Sequence, residues 1–506
     1  MALKGEVRAG FHVRDLTIGH VLRTRAQSHG DKVFMNYLPD GRQFTYREID
    51  ELANRIANGL LARGFGKGSH VGILMDNSPE QFFLYCGLAR IGAVIIPINT
   101  AMKGDILHYY LDQSDSTALI VDADLADRFS AVADRLPRIA NIVVFGGAGS
   151  SNPLHATGRS LIAYEELTAA SAAAPDIDVA FADMAFILYT SGTTGPSKGC
   201  MFTHARCLTG AAGHLETHKY TSDDVFYVTL PMFHSNAMQG SLFVALLAGA
   251  SVAIRKRFSV STFWDDIAKS GATTTNLLGS MVNFLWNAPP SAADAEHRFL
   301  RCGCVPVPPF AVEFQKRFNC RFAGGYGLSD YGVPIVFTVE DPEEKFGSAG
   351  RVVDGWDVRI VDDQEFDVPV GTPGEILIRS NMVWNTTLGY YKKPEATMEA
   401  WKNFWFHTGD RAYFDADGYL WFVDRKKDSI RRRGENVSAF EVEKVFVGHP
   451  AIKDAAAFPV SVSQGTDEEI GVALILKDGA SIDETALIAH CQANMSYFMV
   501  PRFLTF

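Results

Sequence analysis

Apolar residues along this chain recur with two different periods, and the points where the period changes outline its elements. Ile49, Leu52, Ile56 and Leu60 repeat at helical spacing. Thr45 and Glu48 ahead of them form a capping-box pair, and Gly64 ends the run, so a helix is predicted between these marks. Short unbroken apolar runs at 71–75, 93–98, 118–121 and 142–145 read as buried strands, with room for helices between them. That alternation predicts a mainly parallel sheet covered on both faces. A further apolar run, 185–189, reads as a buried strand end. Low-complexity connectors at 146–151 and 169–175 precede it. From about Gly347 the texture shifts to short strands and turns, such as 358–361 and 375–378, the latter preceded by Gly371-Thr372-Pro373-Gly374. This predicts a small β-rich subdomain. After Asp424 a basic run, Arg425-Lys426-Lys427 and then Arg431-Arg432-Arg433, gives way to a compact α+β pattern that continues to Phe506.

Length and composition narrow the class. A chain of 506 residues is too long for one ordinary core and suggests about three. Hydrophobic content of 47% and charged content of 21% are those of a soluble globular protein. A formal net charge of −11 argues against non-specific nucleic-acid binding, which needs a basic face, yet leaves room for a local basic patch toward an anionic ligand. The N-terminal residues lack the apolar core of a signal peptide, and the longest apolar stretch, 242–254, is too short to span a bilayer. Seven cysteines, none in a C-x-x-C pair, fit reduced thiols in the cytoplasm. Cys302-Gly303-Cys304 is too tightly spaced for a usual zinc knuckle.

The chemistry concentrates after the run 185–189. Thr190-Ser191-Gly192-Thr193-Thr194-Gly195-Pro196-Ser197-Lys198-Gly199 is a loop of hydroxyls and glycines closed by a lysine. Glycines let backbone N–H groups approach an anion, and the hydroxyls and ammonium add donors, so the loop is suited to a polyphosphate. It is not a Walker loop, because Pro196-Ser197 separate Gly195 from Lys198, and no G-x-G-x-x-G is present. Further segments follow in order: Pro231-Met232-Phe233-His234-Ser235-Asn236, Gly303-Cys304-Val305-Pro306, Gly325-Tyr326-Gly327-Leu328-Ser329-Asp330, Phe406-His407-Thr408-Gly409-Asp410, and Asp424-Arg425-Lys426-Lys427.

Together these segments resemble the adenylate-forming superfamily of acyl-CoA synthetases, aryl-CoA ligases, luciferases and adenylation domains. The likeness covers nearly the whole chain, and Arg433-Gly434-Glu435-Asn436-Val437-Ser438 with Asn494-Met495-Ser496-Tyr497-Phe498 look most like the crotonobetaine/carnitine-CoA ligase-like group. It implies an α/β fold: an N-terminal ATP- and acid-binding domain over 1–425, made of two parallel-type α/β subdomains and a β-rich subdomain. A small mobile α+β domain over 426–506 follows, with a hinge near Lys427. The resemblance implies ATP contacts from Thr190, Ser191, Gly192, Thr193, Thr194, Gly303, Cys304, Val305, Gly325, Tyr326, Gly327, Leu328, Ser329, Asp410 and Arg425. Lys198, Asp330 and His234 are the implied catalytic residues, with Asp330 also holding Mg²⁺. Ser329 and Asp330 replace the family's threonine and glutamate, and the shorter Asp330 is expected to reach Mg²⁺ through water. Phe233, His234, Asn236 and Tyr331 are the implied acid pocket, and Gly434 with Arg433 the implied contacts to coenzyme A.

The implied reaction forms an acyl-AMP and pyrophosphate from an acid and Mg-ATP, then an acyl-CoA and AMP. The attacking carboxylate is already ionised, so no general base is required and no Ser-His-Asp triad is expected. The family also places a lysine close to its C-terminus, against the α-phosphate. The sequence ends at Phe506 just before the expected place, and clipping of the chain is the expected reason. Residues 235–239 offer no carboxylate for a trimethylammonium group, whereas Phe233, Phe284, Trp286 and Tyr331 can line an apolar or aromatic pocket. A small to medium acid with an apolar or ring-containing body is expected. Loading of a carrier protein, luciferase-like oxidation of the adenylate, and a degenerate nucleotide-binding scaffold are the rival readings. A homodimer is left open, and neither nucleic acid nor a membrane span is expected.

Overall fold

The computed structural model describes residues 5–147, 149, 152–190, 195–305, 307–425, 429–432, 435–461, 468–477 and 479–506, apart from the side chains of 292, 293, 424, 425, 429 and 436. The expected contacts Ser191, Gly192, Thr193, Thr194, Arg433 and Gly434 and the hinge Lys427 lie outside the described residues, as does the side chain of Arg425.

The predicted strands are present and join one seven-stranded sheet. Its order is Lys198–Thr203, Met184–Thr190, Val94–Pro97, His70–Leu74, Ala118–Asp122, Asn141–Phe145 and Ser160–Ala163. All neighbours are parallel except the first pair, where the strand carrying Lys198 folds back antiparallel on Met184–Thr190. That hairpin pairs Lys198 with Thr190 at the end of a strand whose residues Ala185, Phe186, Ile187 and Leu188 are buried. The capping box also forms: the backbone N–H of Thr45 donates to Glu48 Oε2 at 2.7 Å, and the Glu48 N–H donates to Thr45 Oγ1 at 3.2 Å. The helix it starts, Tyr46–Leu61, buries Ile49, Ile56 and Leu60.

A second sheet has nine strands and a parallel centre. Thr274–Leu278, Arg301–Val305 and Arg321–Leu328 lie side by side there, so two of the expected nucleotide segments are neighbours by topology. The two sheets share a core. Helix Pro79–Arg90 is buried along its whole length between them, with Glu80 paired to Arg42 and Arg90 to Asp50. The β-rich subdomain is a four-stranded antiparallel sheet, Trp356–Val361, Gly374–Ser380, Phe406–Phe414 and Leu420–Arg425. Its register pairs Asp410 with Arg425.

Beyond it come the ribbon Ser429–Arg432/Glu435–Ser438, helix Ala439–Val447, the three-stranded sheet built from Ile452–Val460, Glu469–Leu476 and Phe503–Thr505, and helix Glu484–Asn494. Apolar residues of this C-terminal body, among them Val437, Phe446 and Met499, form one continuous core with the outer face of the seven-stranded sheet. The body is therefore docked over the ends of the strands that carry the site.

Candidate active site

A cleft of about 720 Å³ opens where the two large sheets, the β-rich subdomain and the C-terminal body meet. It is lined by Thr190, Lys198, Phe233, His234, Gly327, Leu328, Ser329, Asp330 and Asp410. These residues come from four separate segments of the chain, and the cleft volume is that of a small-molecule site.

One wall carries Asp330. Its Oδ1 accepts from the Tyr390 hydroxyl at 2.7 Å, from Thr190 Oγ1 at 3.0 Å and from the Cys200 thiol at 3.4 Å. Lys198 Nζ stands 4.9 Å from the centre of the Tyr390 ring. A cation, a hydroxyl and a carboxylate thus face the cleft within one patch, a donor and acceptor set suited to a phosphate chain with a hard cation. Among the described residues no group of three or more His, Cys, Asp or Glu side chains forms a metal centre of its own. Ser329 Oγ lies 2.9 Å from Ser235 Oγ, which ties the Asp330 turn to the segment of His234.

Asp410 also lines the cleft. It is 1% exposed, and its Oδ2 accepts from the Tyr326 hydroxyl at 2.7 Å. The Thr408 hydroxyl accepts the Asp410 N–H at 3.1 Å, and Gly409 adopts φ +70° in the turn ahead of it. The glycines nearby are required by close packing. A Cβ on Gly325 would stand 2.5 Å from the Ile335 carbonyl, and one on Gly327 would stand 2.7 Å from that of Gly332.

His234 sits between the two large sheets and the C-terminal body. Its Nε2 lies 3.0 Å from Glu435 Oε1, and Glu435 also accepts from Asn99 Nδ2 at 3.2 Å. Burial disfavours the imidazolium, but the charge and hydrogen bond of Glu435 outweigh it, and the His234 pKa is raised. Burial likewise opposes the Glu435 carboxylate, and His234 and Asn99 reverse this, so its pKa is lowered. A second contact of the same body reaches the phosphate-loop end. Glu441 accepts the Ser197 N–H at 3.0 Å and the Ser197 hydroxyl, and Ser438 Oγ donates to the Gly195 carbonyl at 3.1 Å.

Some expected residues stand elsewhere. Tyr331 does not line the cleft: it is 4% exposed, stacks on Phe406 at 4.9 Å in the core of the β-rich subdomain, and its hydroxyl accepts the Ser380 N–H. Trp286 stacks on Phe310 in a separate core, and Phe284 is 59% exposed. Neither is among the cleft-lining residues. Aromatic character in the sequence marked core at Tyr331 and Trp286. Asn236 is exposed and accepts from Asn276 Nδ2 at 2.9 Å. Gly303 packs against that same asparagine, whose Oδ1 leaves no room for a Cβ. Cys304 is buried, with its thiol pushed up to about 12 by burial, and Val305 is half exposed. Tyr390, Glu435 and Glu441 are cleft residues to which the sequence reading assigned no individual role. Glu435 was legible beside Gly434; Tyr390 carried no signal beyond an aromatic pair after Gly389.

The fold and the cleft together define a nucleotide-dependent enzyme that activates a small molecule. The comparisons name the class. The model of the AMP-binding enzyme family matches residues 22–391, and that of the AMP-binding enzyme C-terminal domain matches residues 441–506. The chain is 32% identical over 472 residues to a crotonobetaine/carnitine–CoA ligase of Salmonella paratyphi B, covering 92% of this chain and 89% of that one. Its fold superposes with a TM-score of 0.81 on an o-succinylbenzoate CoA synthetase from Bacillus subtilis, at 22% identity over 96% of this chain and 93% of the other. A fatty acyl CoA synthetase from Mycobacterium tuberculosis gives a TM-score of 0.71 at 27% identity, covering 97% and 94% of the two chains. The chain belongs to the AMP-binding enzyme family and is an AMP-forming acid–thiol ligase. Among the described residues no helix is long and apolar enough to cross a membrane.

Proposed function

We propose that the chain activates an organic acid with ATP as an acyl-AMP and passes the acyl group to coenzyme A, with both steps in the cleft described above. The observation that carries this reading is the convergence of Lys198, Thr190, Asp330, His234 and Asp410 on one cavity. A carboxylate is a poor acyl donor until its oxygen bears a good leaving group, and the acid's own ionised carboxylate supplies the nucleophile. The protein's task is positioning and charge neutralisation. Lys198 offers its ammonium to the phosphates. Asp330 and Thr190 are the oxygen ligands that would hold Mg²⁺, which when bound neutralises phosphate charge. Asp410 accepts from the ribose hydroxyls, held in place by Tyr326. His234, raised toward the imidazolium by Glu435, stabilises negative charge on the acid, and Phe233 borders the acid's body.

We further propose a division at Lys427 into units 1–425 and 426–506, with Arg433 and Gly434 approaching the thiol. The docked C-terminal body supports this, since its ribbon already places Glu435 at His234. The substrate is proposed as a small to medium organic acid. With Tyr331, Trp286 and Phe284 away from the cleft, the expected apolar or ring-containing body of the acid keeps only Phe233 as support, and an aromatic cage for a quaternary ammonium loses support as well. The relatives' names nonetheless put crotonobetaine and carnitine on the panel to be screened. Seven buried free thiols fit a reducing, cytoplasmic setting.

The test measures pyrophosphate and AMP over a panel of acids, with and without coenzyme A. The proposal expects AMP release to need both acid and coenzyme A. It also expects a Lys198→Ala variant to lose about 10²-fold or more in pyrophosphate–ATP exchange. Exchange without any acid, or full exchange in Lys198→Ala, would refute it.

A further inference from the structure

The segment Thr387 to Tyr391 touches both halves of the phosphate-facing patch, although nothing in its sequence marks it as functional. It runs along the strand that carries Lys198. The Met201 N–H donates to the Gly389 carbonyl at 2.9 Å, and the Tyr391 N–H donates to the Gly199 carbonyl at 2.8 Å. Gly389 turns at φ +98°, and a Cβ there would meet the Thr397 side chain at 2.5 Å, so this residue must be glycine. On its other side the segment grips Asp330 at two atoms. Thr387 Oγ1 donates to the Asp330 carbonyl at 2.8 Å, and the Tyr390 hydroxyl donates to the carboxylate Oδ1 at 2.7 Å. The Tyr390 ring is 5% exposed, with Lys198 Nζ 4.9 Å from its centre. One side chain thus contacts both the Lys198 ammonium and the Asp330 carboxylate.

We propose that Tyr390 is a positioning residue for adenylation: its hydroxyl fixes the orientation of the Asp330 carboxylate and its ring fixes the Lys198 ammonium, so that the two are presented at a set separation. This rests on the reading of Asp330 and Lys198 given above. The chemistry favours it in two ways. A carboxylate with one oxygen held by three donors has lost its freedom to rotate, and a hard cation with strict geometry rewards that loss. An ammonium over an aromatic face keeps its charge and its hydrogen-bond donors while losing lateral freedom. The two functions of the side chain are separable. Tyr390→Phe removes only the hydroxyl, whereas Tyr390→Leu removes the ring as well.

The test combines binding with half-reactions on the full chain. Tyr390→Phe is expected to weaken Mg-ATP binding, measured by calorimetry, about fivefold, and to leave ATP binding in EDTA unchanged. Tyr390→Leu is expected to weaken both, because Lys198 loses its support. Pyrophosphate–ATP exchange is expected to fall about tenfold in Tyr390→Phe, while thioester formation from supplied acyl-AMP changes less than about twofold. In an Asp330→Asn background the same tyrosine change is expected to cost less than about twofold, since it acts through that carboxylate. A Tyr390→Phe loss that is equal with and without Mg²⁺, or that persists undiminished beside Asp330→Asn, would overturn the proposal. Full exchange in Asp330→Asn alone would overturn the underlying reading of the site instead.

Discussion

Replacing Glu435 with glutamine removes one charge from the junction between the C-terminal body and the cleft and changes little else. Glutamine keeps the size and an acceptor oxygen for His234 and Asn99, so the perturbation is electrostatic. At the 3.0 Å separation of Glu435 and His234, an effective dielectric of about 20 gives about 5 kcal/mol of attraction between full charges. The pair is not sealed: the His234 side chain is 44% exposed and that of Glu435 22%, so screening and side-chain ordering reduce the net value. About 1–2 kcal/mol is left, which is roughly a 5- to 30-fold loss in the population of the docked body. The sign with pH follows from the two shifts. His234 is raised above 6.5, so its contribution is complete below that value and is lost as pH rises through the raised pKa. Glu435 is lowered beneath 4.5, so its contribution is complete above that value and is lost as pH falls through the lowered pKa. Docking is therefore strongest between these limits. Stopped-flow measurement of thioester formation from supplied acyl-AMP reads the docked state, and pyrophosphate–ATP exchange reads the other half-reaction. Glu435→Gln should slow the first by the factor above, slow the second by less, through the lost support of the His234 imidazolium alone, and move the alkaline limb of the thioester profile to lower pH. Equal loss in both half-reactions, or an alkaline limb that does not move, would refute the reasoning.

Two other changes probe the walls of the cleft. Tyr326→Phe removes a charge-assisted donor from the buried Asp410 and should raise the KM for ATP about 10-fold and cost about 1–3 kcal/mol of stability, as seen in steady-state kinetics beside a melting curve. Gly389→Ala puts a Cβ at φ +98° and 2.5 Å from Thr397, and should cost about 1–3 kcal/mol. Denaturant unfolding should show that loss, accompanied by a fall in pyrophosphate exchange.

Much of the architecture was readable because its signals are local. The capping box at Thr45 and Glu48, the short apolar runs that became the parallel strands, and the hydroxyl–glycine loop before Lys198 each depend on neighbours in sequence. The order of the chemical segments let a common cleft be expected. What stayed hidden depends on tertiary packing. Tyr331 and Trp286 are aromatic residues near functional segments, yet a stacked ring in a core and a ring on a pocket wall have the same sequence signature. Tyr390 was overlooked for the converse reason. Its partners Asp330 and Lys198 lie far away in the chain, and only the pairing of its segment with the Lys198 strand brings them together. Glu441 is a buried carboxylate whose donors come from the phosphate loop, a contact that exists only once the C-terminal body docks.

The central claim is that the acid's own oxygen attacks the α-phosphorus of ATP. An acid labelled with ¹⁸O in its carboxylate, turned over with ATP and coenzyme A, tests it through the mass of the released AMP. The account predicts that AMP carries one labelled oxygen and pyrophosphate none. Unlabelled AMP, with the label recovered in inorganic phosphate or retained entirely in the acyl product, would contradict it.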